Sequence, residues 1–286
     1  MQTSEQNFDT VLIASTPRNP LTPYLLREFA PWAEASAAAF ADVSGEARYV
    51  VAVRPTPEEA RKLIPALDRI RPEGVAVIST TDVYGATGDI IVDETFRPHP
   101  ADSAAREAAE AEDAFREWAA ASGAKLSVLR ATTTFGADMG GWPDRMFARV
   151  IGGRFVHIRG CEARRSIVTA VDVARATRLA LPLGGLYNIA DGTDPLLTEL
   201  ADAMGTNAGL DKRPIVLPRK WAAVIASFCK AYHIPHQALR DAIDACTPIP
   251  RFSSALATET LGIKFFNTCD VLRRQAPDYP YLTPAP

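Results

Sequence analysis

The stretch VAVISTTDVYG, residues 75–85, contains a short apolar run followed directly by polar residues. Residues 75–79 are rich in β-branched side chains, which is typical of a strand that is covered on both faces of a sheet. Strands of parallel sheets, in which helices cover both faces, typically have such continuous apolar runs. The stretch therefore predicts a buried parallel strand that ends close to Thr80.

Similar runs lie on either side of this strand, at residues 10–14, 49–53 and 126–130. Helical patterns separate them. One runs from residue 22 to 32, a second starts after an N-cap at Thr56 and continues to residue 70, and a third starts at Asp102 or Ser103 and ends at Gly123. Strands that alternate with helices predict an α/β fold with a Rossmann-type, doubly wound parallel sheet.

The pattern changes after about residue 140. A short strand is expected at residues 155–158 and a helix at 171–181, and the segments from residue 196 onward are mostly helical. We therefore predict two domains: a Rossmann-like, NAD(P)-binding type domain over 1–155 and a smaller substrate-type lobe over 156–286, with segments that return to the main sheet. The proline-rich residues 277–286 are expected to form a surface tail.

Composition excludes several classes of function. The chain has 286 residues, a formal net charge of −3 and four cysteines and four histidines that form no CxxC or HExxH pattern. Because the net charge is slightly negative, we expect neither nucleic acid nor an anionic membrane as a partner. We expect free buried thiols, no metal site and, since no signal peptide or long apolar segment is present, a cytoplasmic protein.

Five segments in order resemble the NAD-dependent epimerase/dehydratase family, the extended short-chain dehydrogenases. The first is residues 78–85, followed by Asp93 and Glu94. The others are the helix that contains residues 116–118, residues 129–136, residues 164–174 and residues 186–189. The resemblance covers most of residues 10 to 270.

The resemblance implies catalytic roles for two residues. Thr80 matches the Ser/Thr that polarises a carbonyl or alkoxide in the family, and Tyr84 matches a tyrosine that borders the substrate pocket. Each residue also has a structural interpretation. The Thr80 hydroxyl would then be satisfied by backbone at the end of a strand, and Tyr84 would be buried with its hydroxyl satisfied.

The helix after residue 102 lacks the family's catalytic Tyr-xxx-Lys pair. The resemblance places the tyrosine position at Ala104 and the lysine position at Ala108, and the chain has no tyrosine between Tyr84 and Tyr187. Alanine can neither transfer a proton nor lower a neighbour's pKa, so the usual hydride transfer cannot operate from this helix. The charged residues of the helix are expected to form a solvated face: Arg106, Glu107 and Glu110.

The loop that would bind the cofactor departs from the family as well. Ser15, Arg18 and Leu21 occupy the glycine positions of the GxxGxxG motif, and the first glycine of the chain is Gly45. Three prolines remove backbone N–H donors, at positions 17, 20 and 23. Arg18 could pair with a phosphate or lie exposed in the loop. The following segment is also short for the family, with one strand expected at residues 38–42.

The substrate side retains more of the family pattern. Arg164 and Arg165 match a position at which the family's nucleotide-sugar enzymes place an arginine near the phosphates, although the pair could also form a solvated turn. Asp172 and Asn188 are expected to stabilise local turns. His99 is expected on a surface loop, and no mechanism is assigned to His233 or His236.

Two functions follow as alternatives. The first is a family member that has lost ordinary NAD(P) redox chemistry, binds no cofactor and keeps a cleft for a small-molecule ligand, such as a nucleotide sugar. The second is an active, atypical NAD(P)-dependent epimerase, dehydratase or reductase, with Thr80 and Tyr84 in changed roles. A cofactor-free lyase, isomerase or cyclase is a third possibility. A homodimer through the alanine-rich helix is possible in each case.

Overall fold

The computed structural model describes residues 10–161, 163–210, 215–231, 239, 242–243 and 246–274. The strands are β1 (Thr10–Ala14), β2 (Glu34–Ala38), β3 (Tyr49–Val53), β4 (Gly74–Thr80), β5 (Ile91–Val92), β6 (Lys125–Ala131), β7 (Thr133–Phe135), β8 (Val156–Arg159), β9 (Ile167–Thr169), β10 (Gly185–Ile189), β11 (Ile215–Pro218) and β12 (Arg251–Phe252).

The helices lie between these strands. They are α1 (Thr22–Phe29), α2 (Pro57–Ile70), α3 (Ser103–Ser122), α4 (Gly141–Ile151), α5 (Ala170–Ala180), α6 (Leu197–Asn207), α7 (Arg219–Ala231), α8 (Ala255–Leu261) and α9 (Thr268–Arg273). A 3-10 turn, Thr81–Tyr84, follows β4 directly.

The central sheet has six parallel strands in the order β10, β6, β4, β3, β1, β2. The chain therefore leaves β1 towards one edge and then returns to build the other side from β3 onward, which is a doubly wound arrangement. The point of reversal lies between β1 and β3, where such sheets form a crevice at the carboxyl ends of the strands. The predicted fold class is confirmed.

Apolar clusters cover the two faces of this sheet. On one face, α1 and α5 bury side chains such as Leu25 and Phe29. On the other, α2 and α3 bury Leu63, Phe115 and Trp118, and the indole Nε1 of Trp118 donates to Asp68 Oδ1 at 2.9 Å. Helices packed on both faces therefore fix the positions of the strands and of their ends.

The predicted helix boundaries are largely confirmed. Thr56 forms a capping box with Glu59, and Gly123 ends α3 in the left-handed region at φ 75°. Of the two cap candidates for α3, Asp102 is the cap, since its Oδ1 accepts from Ala105 N at 2.8 Å. Helix α1 ends at Phe29, before the predicted residue 32, because the next residues form a turn.

The strand expected at residues 38–42 is wrong in position. Strand β2 spans Glu34–Ala38, and the residues after it leave the sheet, where Phe40 packs into the apolar cluster under α2 and α3. The segment is rich in alanine, which has little preference for strands, so the sequence carried little information on which residues pair with β1.

The C-terminal half adds a smaller lobe. Short parallel pairs join β7 to β9, β5 to β12 and β8 to β11, and α4, α6 and α9 pack around one apolar cluster. Strand β10 and helix α5 return to the main sheet, as expected. The division of the domains at residues 155 and 156 remains a prediction.

The expectation of free thiols is wrong for two cysteines. Cys161 and Cys246 form a disulfide across 85 residues of sequence, whereas Cys229 and Cys269 are free and buried. The pairing could not be read from spacing, because it depends on the fold of the lobe. His99 is exposed, in agreement with the prediction, whereas His233, His236 and residues 277–286 lie outside the described residues.

No helix within the described part of the chain is long and apolar enough to cross a membrane. Over the same residues, no group of three or more histidine, cysteine, aspartate or glutamate side chains could hold a metal ion.

Candidate functional site

The carboxyl ends of the central strands bring four polar residues to one edge of the sheet. Ser15 follows β1, Arg54 follows β3, Thr80 ends β4 and Thr132 follows β6. This edge faces α3, α4 and the smaller lobe. Two cavities open along it, a third lies in the smaller lobe, and each has a different chemical character.

The first cavity, here called the alanine cavity, lies between the ends of β3 and β4 and helix α3. Its volume is about 260 Å³, and its lining includes Arg54, Thr80, Ala104 and Ala108. Ala104 and Ala108 therefore lie beside Thr80, and their correspondence to the family's tyrosine and lysine positions remains a prediction. Glu107, expected on a solvated face, is exposed and also lines this cavity.

The hydroxyl of Thr80 is engaged locally. Thr80 Oγ1 donates to Asp82 Oδ2 at 2.9 Å and accepts from Asp82 N at 3.2 Å, so the residue caps the 3-10 turn. This contact corresponds to the structural interpretation of Thr80. The side chain nonetheless lines both the alanine cavity and the neighbouring cavity at the ends of β4 and β7.

Tyr84 lies in the interior of the protein. Its hydroxyl donates to Asn188 Oδ1 at 2.8 Å, its ring is covered by the guanidinium of Arg130 at 4.6 Å, and only 3% of its surface is exposed. Burial raises its pKa. These contacts satisfy the hydroxyl inside the protein and correspond to the structural interpretation.

The two residues expected to stabilise local turns make longer connections. Asn188 contacts Tyr84 and also donates to Val92 O at 3.4 Å, so its expected local role is wrong. Asp172 does cap α5 through Thr169, but its Oδ2 also accepts from Phe266 N at 2.8 Å. Burial raises the pKa of Asp172. Both residues therefore tie distant parts of the chain together.

A buried ion pair joins α3 to the strands β4 and β6, whose ends border the cleft. Glu112 of α3 accepts from Arg130 of β6 at 3.1 and 2.6 Å and from the hydroxyl of Ser79 at 2.6 Å. Arg116 also contacts this carboxylate from the protein surface. The network fixes α3 against β4 and β6, and it sets the position of Ala104 and Ala108.

The loop between β1 and α1 is held by hydrogen bonds within the protein and by the burial of Leu21. Leu21 is 1% exposed and belongs to the apolar cluster of the sheet. Its N–H donates to Asn19 Oδ1 at 3.0 Å, Thr22 N donates to Asn19 O at 3.1 Å and Ser15 N donates to Ala38 O at 3.0 Å. The N–H groups at the start of α1 are thus already bonded within the protein.

The residues of this loop do not fit a dinucleotide pyrophosphate. Binding in the family mode requires free N–H groups at the start of the helix and space for close approach of the phosphates. Here the donors are bonded internally or absent at the three prolines, and side chains replace the glycines. Arg18 is exposed at φ 63°, a left-handed conformation that favours glycine.

The sequence prediction missed Arg54. It follows β3 in a left-handed conformation at φ 48°, its N–H donates to Ile78 O at 2.9 Å, and its Nη2 donates to Thr134 Oγ1 at 3.3 Å. Burial of the guanidinium in the cleft lowers its pKa, and Asp82 opposes this change. The one available signal was an arginine placed directly after a buried strand.

The second cavity, here called the threonine cavity, lies on the other side of Arg54. Its volume is about 390 Å³, and threonines at the end of β4, directly after β6 and in β7 line it together with Asp82. Trp142 at the start of α4 and Phe252 of β12 supply aromatic walls. The cavity can therefore hold a ligand that has both polar oxygens and an apolar face.

The third cavity, here called the arginine cavity, lies in the smaller lobe. Its volume is about 410 Å³, and Arg164, Arg219, Arg251 and Asp89 line it. Arg164 Nη1 donates to Asp194 O at 2.9 Å, and Arg251 pairs with Asp89 at 3.1 Å. The Nε of Arg251 is buried, and no described residue accepts its hydrogen.

The two arginines predicted together have separate environments. Arg164 is exposed and lines the arginine cavity, whereas Arg165 is half-buried and does not belong to that lining. Arg165 Nη1 donates to the carbonyl oxygen of Arg164 at 2.9 Å, and burial lowers its pKa.

Residues 46–190, a little over half of the chain, match the model of the NAD dependent epimerase/dehydratase family. The chain belongs to this family. No curated protein matches it. The matched segment includes Arg54, Thr80, Ala104 and Ala108, whereas the loop between β1 and α1 precedes it.

Solved structures show the same fold at low sequence identity. A UDP-glucose 4-epimerase from Thermotoga maritima, solved with UDP-glucose, is 16% identical with a TM-score of 0.68, and the match covers 95% of this chain and 98% of that one. A UDP-N-acetylglucosamine 4-epimerase from Methanobrevibacter ruminantium is 12% identical with a TM-score of 0.70 and the same two coverages. The epimerase/dehydratase fold is therefore retained over nearly the whole chain.

Proposed function

We propose that this family member has lost ordinary NAD(P) redox chemistry and binds a phosphate-bearing small molecule, such as a nucleotide sugar, in its cleft. The observation that carries the proposal is the closed loop between β1 and α1. Leu21 occupies core space there, and its N–H is bonded to Asn19. Two of the three positions at which the family has glycines, Ser15 and Leu21, are therefore buried side chains.

The alanine cavity supports the same conclusion. Ala104 and Ala108 line it beside Thr80, and neither side chain carries a proton or charge for hydride chemistry. The loss of the pyrophosphate site and the loss of the catalytic pair affect different elements of the fold. Both changes remove the same activity.

The arginine cavity supports ligand binding. Guanidinium groups bind phosphate oxygens in bidentate geometry, and Arg164, Arg219 and Arg251 line one cavity. Structures similar to this chain include a UDP-glucose 4-epimerase with UDP-glucose and a UDP-N-acetylglucosamine 4-epimerase with UDP-N-acetylmuramic acid. A nucleotide sugar is therefore the ligand class we propose.

The alternative is an active, atypical NAD(P)-dependent epimerase, dehydratase or reductase. One observation favours it: the space beside Ala104, Ala108 and Thr80 remains open, at about 260 Å³. Similar structures include an RMD from Pseudomonas aeruginosa complexed with NADPH. This alternative requires measurable NAD or NADP affinity through a different phosphate contact, whereas our proposal requires none.

Thermal unfolding with ligands separates the two functions. The purified protein is heated alone, with NAD, with NADP and with UDP-, dTDP- and GDP-sugars. A ligand present at about 100 times its Kd stabilises the folded state by roughly 2.7 kcal/mol, which raises the Tm by several degrees in a chain of this size. Our proposal predicts a shift with a nucleotide sugar and none with either cofactor.

Two variants test where the ligand binds. Arg219→Met should abolish the shift caused by the sugar nucleotide, while Arg61→Met, an exposed arginine of α2 remote from the cavities, should leave it unchanged. A clear shift with NAD or NADP would overturn the proposal. Equal binding by the Arg219 variant and the wild type would show that the arginine cavity is not the site.

A further inference from the structure

We infer that Arg54 is an anion-binding residue, and that the threonine cavity takes a carboxylate or phosphate group of the ligand through its guanidinium. The inference rests on the proposed function, because it assigns this part of the cleft to a small molecule rather than to a dinucleotide. It adds a second charged contact, on the main sheet, to the one proposed in the smaller lobe.

The position of Arg54 carries the first part of the argument. The residue lies directly at the carboxyl end of β3, beside the point where the strand order reverses, and it forms a common wall of the alanine and threonine cavities. A ligand in either cavity would contact it. Among the residues that the structure describes, no other arginine or lysine lines either of these two cavities.

The guanidinium of Arg54 has few hydrogen-bond partners within the protein. Among the described residues it makes one hydrogen bond, a long one of 3.3 Å to Thr134 Oγ1, and forms no ion pair. By contrast, the guanidinium of Arg130 makes two bonds to Glu112. An arginine has five N–H donors in a planar fork that matches the oxygens of a carboxylate or phosphate, so most of the fork of Arg54 remains available to a ligand.

The backbone of Arg54 provides independent support. An arginine at φ 48° is in the left-handed region, which is unfavourable for residues with a Cβ. Strained conformations of this kind persist mainly where the surrounding structure imposes them, often at functional sites. Here the N–H bond to Ile78 O holds the backbone and directs the side chain across the end of β4 to β7.

The walls of the threonine cavity define the rest of the ligand. The hydroxyls of Thr132 and Thr134 already donate to Ile189 O and Thr132 O, so these two side chains do not donate to an anion, and that contact falls to Arg54. Trp142 and Phe252 give apolar surface. Asp82 lies in the same lining and disfavours a second negative charge. The cavity therefore suits one anionic group on a partly apolar molecule.

Anion titrations test the assignment. Binding of inorganic phosphate, pyrophosphate and malonate is measured by calorimetry on the wild type, on Arg54→Met and on the control Arg61→Met, at ionic strength matched with sodium chloride. We expect binding of at least one of the three anions, weakened ~10-fold or more in Arg54→Met, because hydrogen bonds to charged groups contribute about 1.5–3 kcal/mol. The control should bind like the wild type.

Two further variants keep the test independent of folding defects. Arg54→Lys retains the charge but not the fork, and it should weaken binding by a smaller factor than Arg54→Met. Asp82→Asn removes the opposing carboxylate and should strengthen binding, which a merely disrupted fold would not do. A preference for phosphate or for malonate identifies which anion the ligand carries.

The outcomes also separate this inference from the proposed function. Absence of binding by all three anions, or equal binding by the wild type and Arg54→Met, would overturn the role of Arg54. Loss of anion binding in Arg219→Met but not in Arg54→Met would place the anion in the arginine cavity alone, leaving the proposed function intact. A Tm shift with NAD would instead contradict the proposed function.

Discussion

Arg130 and Glu112 form an ion pair at 2.6 Å in which each side chain is only 1% exposed. The pair joins β6 to α3, and the hydroxyl of Ser79 in β4 donates to the same carboxylate. One carboxylate thus connects three elements beneath the cleft. Because both charges are removed from water, the energy of the pair depends on both partners being present.

We expect Arg130→Met to lower the free energy of unfolding by about 3–5 kcal/mol, since it leaves a buried carboxylate with a weaker set of partners. Urea unfolding measures the change. The double variant Glu112→Leu with Arg130→Met should recover part of the loss, because no buried charge is then unpaired. The control is Lys62→Met, which removes an exposed pair with Glu58 and should leave the free energy of unfolding unchanged. Equal losses of stability in Arg130→Met and Lys62→Met would contradict the prediction.

The loop between β1 and α1 offers a second test. Leu21→Ala should cost about 2–5 kcal/mol of unfolding free energy, because the leucine is part of the core. Arg18→Gly in the same loop should change stability by less than about 1 kcal/mol, since relief of the left-handed strain offsets the entropy that glycine adds to the unfolded chain. An equally small effect at Leu21 would show that this loop is not packed as described.

A third test compares substitutions at Gly85 and Gly123. Both have positive φ angles, of 56° and 75°, but a Cβ at Gly85 would lie 1.8 Å from His99 O, whereas at Gly123 it would meet open space. Gly123→Ala should therefore cost about 1 kcal/mol and Gly85→Ala roughly 3 kcal/mol or more, because the second must also displace the backbone at His99. Thermal or urea unfolding of both variants compares them, and equal losses would be inconsistent with the close contact.

Cys269 provides a test by pH. Burial raises the pKa of its thiol from 9.0 to about 11, so the native protein should resist alkylation at this cysteine at pH 8 and react there only after unfolding. Because the folded pKa is the higher one, the unfolded state loses its proton first. The stability linked to this group is therefore complete below pH 9 and declines as the pH rises towards 11.

The control is Cys269→Ala, which should show a smaller loss of stability over that pH interval than the wild type. Mass spectrometry after brief alkylation identifies the modified cysteine. Rapid labelling of Cys269 in the native protein at pH 8 would show that the thiol is accessible and that its pKa is not raised.

The main elements of the sheet could be predicted because their signals are local. Apolar runs mark β1, β3, β4 and β6, and Thr56 and Gly123 mark helix ends through their own side-chain or backbone chemistry. The short strands of the lobe have two to four residues each, too few for a periodicity to show. The residues of β2 could not be placed, because its alanines fit several registers.

The candidate site was predictable only where the family pattern reached it. Thr80, Ala104 and Ala108, which the resemblance singled out, line one cavity, whereas their roles remain predictions. Arg54 acquires its role from the ends of β3, β4 and β7, which are separated by up to 80 residues of sequence. The pairing of Cys161 with Cys246 depends in the same way on contacts between distant segments, which no single stretch of sequence contains.

The disulfide between Cys161 and Cys246 closes the segment between these two cysteines into a covalent ring. A protease that cuts the backbone once within that ring leaves a single molecule of unchanged mass, apart from one added water. Its two pieces separate on a denaturing gel only after reduction. A nick in this part of the lobe would thus go unnoticed under oxidising conditions, and the three arginine-bearing segments around the cavity would stay linked after the cut.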